Sequence, residues 1–224
     1  ENIVQYMKQH LPGFEQAYLV GTAQELYVRE TRHMVGLYRL TINDVLEHRD
    51  FWDKIALGSY PVDIQPTGMH NWGHIVGNPA AYSIPLRSLL PQSIENMMVV
   101  GRSAGYDSLA HGSARVVPIG MCTGEAAGVA AKVLLDSGLT VQELAQSKEM
   151  VALIQTMLRQ QGAYLPEQFH HPFNLDGHWA REGVNYLRGY GLVHGQYNND
   201  YRLDEIISKG RSEERRVGKE CRSR

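Results

Sequence analysis

Four consecutive apolar residues, Met97-Met-Val-Val100, run directly into Gly101-Arg102, and a stretch dense in glycine and alanine follows over residues 120–137. A short continuous apolar run bounded by a glycine is the pattern of a strand buried on both faces. The spacing therefore predicts a strand over residues 94–101, then a small-residue helix from about Gly120 to Ser137. A strand that ends at a glycine and feeds such a helix is the anatomy of a strand end in a doubly wound α/β sheet, where ligands lie at the carboxyl edge. Gly120, Gly124 and Gly128 recur every four residues, so one face of the helix carries almost no side chain and its backbone can approach a ligand or a sheet closely. The expected first turn, Gly120 to Thr123, offers unpaired N–H groups and the positive end of the dipole to an anion. The same pattern also serves plain close packing of a helix, and spacing alone does not separate the two.

The rest of the chain reads as a mixture of helices and short strands. Residues 1–10 form a short helix stopped by Leu11-Pro12-Gly13. Residues 26–41 are rich in β-branched and aromatic residues and predict two strand pieces around Gly36. Thr41 is placed to cap a helix through Asn43 to Leu46, a second short helix is expected over residues 50–57, and strands over 60–64 and 82–87. Gly138 stops the small-residue helix, Thr140 opens another, and residues 151–160 form an amphipathic helix closed by Gly162. Residues 65–81, with Pro66, Gly68, Gly73, Gly77 and Pro79, are a long loop of the kind that often carries function.

Charge and cysteine content exclude several classes. The net charge is −2, which gives no electrostatic footprint for nucleic acid. Cys122 and Cys221 are too few for a disulfide framework or for the four thiolates of an iron–sulfur cluster. The longest uninterrupted apolar runs fall short of the roughly 20 residues that cross a bilayer, so no transmembrane segment is expected. The opening residues contain neither an initiator Met nor a signal-peptide pattern, and the sequence is expected to be the back portion of a longer protein. Residues 211–224 are charge-dense without apolar period and resemble the translated read of a sequencing-library adaptor; with their charge of +3 set aside, the chain stands at −5.

Several ordered segments together carry a resemblance. Arg29-Glu-Thr-Arg-His33, Gly36, Leu40-Thr41, Asp44-Val45, Tyr60-Pro-Val-Asp-Ile64, Asn96-Met-Met-Val-Val-Gly-Arg102, Gly112-Ser-Ala-Arg-Val-Val117 and Gly124-Glu-Ala-Ala-Gly-Val-Ala-Ala131 resemble, in this order, a family of FAD-dependent oxidoreductases related to the glutathione-reductase fold. The likeness covers roughly residues 11–162. It implies the C-terminal part of a Rossmann-like FAD-binding α/β fold with part of its substrate domain, and an enzyme that moves electrons between a small organic substrate and FAD. The pyrophosphate-binding Gly-x-Gly-x-x-Gly turn of such folds is absent from this sequence. The resemblance assigns FAD contacts to Gly101, Arg102, Gly120, Met121, Thr123 and Gly124. Arg29, Arg32, His33, His111 and Arg115 are candidates to orient or protonate substrate, and His70 and His74 further proton donors. His70 and His74 lack a third ligand, so no metal is expected; Cys122 reads as a small buried residue.

Beyond a linker at residues 163–172, residues 173–210 resemble a partial S-layer homology module. Trp179-Ala180 are expected to anchor its first helix, and Gly191-Leu-Val-His-Gly195 to turn into a second. Such modules bind secondary cell-wall polymers, which implies an exported, surface-attached enzyme; without a working module the expected location is cytoplasmic. The alternative reading is a wall-binding protein on a non-catalytic flavin-fold scaffold.

Overall fold

The computed structural model describes residues 2–66, 68, 73–168, 175, 177–189 and 201–205. It falls into two units, Glu1–Thr31 and Arg32–Arg224. The first holds helix α1 (Asn2–His10), with Lys8 and His10 in its last turn where positive charge favours the dipole. Gly13 follows at φ 91°, so the chain turns where the sequence predicts. None of the described residues of this unit is buried.

The second unit contains the core. Its elements are α2 (Ile42–Leu46), β1 (Lys54–Gly58), β2 (Asp63–Ile64), β3 (His74–Ile75), β4 (Tyr82–Pro85), α3 (Ser108–Ala114), α4 (Val117–Ser137), α5 (Val141–Gln146), α6 (Lys148–Gln160) and α7 (Arg181–Gly189). β1 pairs antiparallel with β4, and β2 with β3. Capping residues set the helix starts. Thr41 and Asp44 close a capping box on α2, Thr140 and Glu143 another on α5, Asp107 caps α3 and Ser147 caps α6. Between the helices and the β1–β4 pair lie Leu40, Ile84, Leu86, Leu89, Leu144 and Ile154, all without solvent exposure.

Three stretches depart from the sequence reading. Residues 97–100 make no strand: among the described residues the one ladder-like bond is Val99 N–H to Leu89 O at 2.9 Å, and Met97 and Val100 are 40% and 38% exposed. An apolar run becomes a strand only beside a neighbour that completes its ladder, and no described residue supplies one. Residues 26–41 likewise form isolated bridges, Gly36 to Pro91 and Leu40 to Tyr106, instead of two strands. The helix expected over 50–57 is turn and strand, because Ile55 and Ala56 bury against β4 and the tertiary pairing overrides local propensity. At a coarse level the mixture of helices and small sheets agrees with an α/β assignment; the described sheets are antiparallel pairs.

α4 has 21 residues and is long and apolar enough to cross a membrane by length and composition, which interrupted apolar runs in the sequence did not signal. One of its faces, Ile119, Thr123, Ala126, Val129, Ala130 and Val133, is buried in the core. In α7, Val184 packs with Leu175, Ala180, Tyr201 and Leu203. Trp179 is 88% exposed, so Ala180 and not the expected tryptophan anchors this helix. Residues 191–195 and 206–224, including the adaptor-like tail, lie outside the described residues.

Three core tyrosines make the fold sensitive to alkali. Burial pushes the Tyr82 and Tyr106 hydroxyls far up, and burial followed by the charge of Asp44 pushes Tyr38 up to about 12 from 10.0. As pH rises past 10 the unfolded chain loses these protons while the folded one keeps them, so stability is full below pH 10 and is lost as pH rises towards the folded values. Denaturant midpoints recorded from pH 8 to 12 are expected to stay flat to about pH 10 and then fall; Tyr38→Phe should make the fall shallower.

Candidate functional site

The small-residue helix begins at Val117, three residues before the sequence reading placed it. Pro118 explains the difference: it lacks an N–H and has φ preset for a helix, so it favours the first turn. Gly120 N–H is consequently bonded inside the helix, to Val116 O at 3.0 Å. The amides without an intrahelical partner belong to the turn at Val117 and Ile119 instead. Val116, the cap residue, supplies no side-chain acceptor. The positive end of a six-turn helix is thus left to an acceptor from outside.

Against this helix lies the 3-10 turn Gly101–Ser103. Thr123 joins the two: its Oγ1 accepts the Gly101 N–H at 3.3 Å and donates to Gly120 O at 3.0 Å, with the side chain fully buried. Gly101 has φ +65°, where an L side chain is strained, and its α-carbon faces Gly120, whose added Cβ would stand 3.9 Å away. A Cβ at Gly124 or Gly128 would meet nothing within 4 Å. The glycine stripe therefore lines an open trough with the Gly101–Ser103 turn at its head, and Arg102 and Met121 are exposed beside it. Farther along α4, Ala127, Ala131, Leu134 and Leu135 form one wall of an apolar groove of about 440 Å³ whose other wall is residues 95–98. Cys122 is exposed on α4, not buried as the sequence suggested.

The substrate candidates are distributed unevenly. Within the first unit Arg29 lies over the Tyr27 ring, 5.2 Å from its centroid. Arg32 opens the second unit and is exposed. His33 and His111 come together in that unit, ring centroids 4.9 Å apart and edge to face, with His111 2% exposed on α3. Arg115, one turn beyond His111, is ion-paired to Asp63 at 2.9 Å, and Gln65 donates to the same carboxylate oxygen at 2.8 Å. α3 can approach β2 this closely because Gly112 has no Cβ; one would stand 2.9 Å from Ile64 Cδ1 and 3.1 Å from Asp63 O. His74 is exposed in β3, and His70 lies outside the described residues.

Sequence reasoning gave Asp63 no role, although it sits inside a quoted motif; the signal was a lone acid among apolar residues opposite a lone arginine. It also missed a buried hydroxyl chain. Ser113 Oγ donates to Tyr60 O at 2.5 Å, so Tyr82 OH is the donor in its 2.6 Å bond to Ser113. These groups fix α3 to the segment preceding β2.

A long helix with an uncapped start, an open stripe of glycines and a backbone turn pressed on its second turn are what the geometry offers a ligand. The family model for FAD-dependent oxidoreductases matches residues 1–158, and the chain belongs to that family. No curated protein and no solved structure matches the chain. The family's cofactor is FAD, and the residues present fit it: the trough at Gly120, Gly124 and Gly128 has the room that side chains would remove.

Thr123→Val keeps shape and removes the acceptor of the Gly101 N–H. It is expected to destabilise the protein by about 1 to 3 kcal/mol in urea denaturation and to weaken FAD retention. Thr123→Ser should restore both.

Proposed function

We propose that this chain forms the flavin-ring side of an FAD-dependent oxidoreductase acting on a small organic substrate. The observation that carries the reading is the uncapped start of α4 at Val117 and Pro118 beside the Gly101–Ser103 turn. When bound, FAD supplies a two-electron acceptor that takes hydride. The helix start stabilises negative charge near it, which is how a protein tunes this cofactor. Gly101, Arg102, Gly120, Met121, Thr123 and Gly124 are the residues assigned to hold it, with Gly101 presenting its backbone and Thr123 holding the turn in place.

The pyrophosphate grip belongs, on this reading, to a Gly-x-Gly-x-x-Gly turn outside this sequence. The exposed apolar edge at residues 97–100 and the groove along α4 support it, because they are the two surfaces that a parallel sheet between helices covers. Arg115 serves the wall of the site through Asp63, leaving His33 and His111 as the groups nearest the turn. The full-length protein, freshly purified, is expected to show flavin absorbance near 450 nm that reducing agents bleach. A colourless protein that takes up no FAD on reconstitution overturns the assignment.

Surface attachment is the finer part of the proposal. It rests on the likeness of residues 173–210 to an S-layer homology module and on the small cluster of Leu175, Val184 and Tyr201. The complete module is expected to sediment with purified cell-wall sacculi; its staying in the supernatant removes the surface role and leaves a helical appendage on the enzyme.

A further inference from the structure

We draw no further inference here: the strongest candidate, the apolar groove that Met97 and Met98 form with Ala131, Leu134 and Leu135 of α4, belongs to the site already described, and nothing among the described residues shows what covers it.

Discussion

The second unit depends on a crossing of three backbone segments with no room for side chains between them. Gly105 N–H bonds to Ser88 O at 2.8 Å, and Leu40 N–H to Gly105 O at 2.9 Å; beside them Leu37 N–H reaches Leu90 O and Tyr38 N–H reaches Arg87 O. A Cβ at Gly105 would lie 2.9 Å from Tyr38 O and 3.0 Å from Ser88 O, and one at Gly36 2.9 Å from Tyr38 O. Backbone oxygens cannot step aside without moving the chain, and Ser88 O is also held by the Gly105 N–H. The three segments are joined by single bonds instead of by long ladders, and the close approach gives those bonds their geometry. The Gly101–Ser103 turn, the carbonyl of Ala104 and the start of α3 all hang from this crossing, so the site inherits its precision from two absent methyl groups.

Around the crossing, two buried carboxylates each hold an arginine, one across a long sequence separation and one locally. Asp53 is fully buried and accepts from Arg87 Nε at 2.8 Å, from its NH2 group at 3.0 Å and from its main-chain N–H at 3.1 Å. Removing one partner of such a pair costs about 3 to 5 kcal/mol because the other charge is stranded. Asp44 takes Tyr38, Thr41 and Arg49, tying the start of α2 to the same region. These pairs make the fold specific as well as stable, since any slip of β1 against β4 would separate Asp53 from Arg87.

What was legible in the sequence was local. Thr41 and Thr140 mark helix starts by chemistry confined to one turn, and both caps form; Asp107 and Ser147 cap two further helix starts that the sequence reading did not place. Pro118 carried the true start of α4 and was outweighed by the more conspicuous glycines. Residues 97–100 have the composition of a buried strand, yet strand formation depends on a neighbour that composition does not name. The approach of His33 to His111, 78 positions apart in sequence, and the pairing of Arg115 with Asp63 are products of the tertiary crossing. No local pattern encodes either. The family resemblance succeeded because it compared ordered motifs spread from Arg29 to Ala131, which is a non-local signal.

Lys54 is 4% exposed, an unusual state for an ammonium group. Asp50 Oδ1 accepts from it at 2.7 Å and Glu167 O at 2.9 Å. Between α6 and Glu167, Leu165 is buried in the core and its carbonyl accepts from Arg159 Nε at 2.6 Å. The chain therefore leaves the core through a clamp, nine residues past the end of the family match. A pulling force applied beyond residue 168 is loaded onto β1 and the core in shear before it can peel α6 away from its C-terminal end.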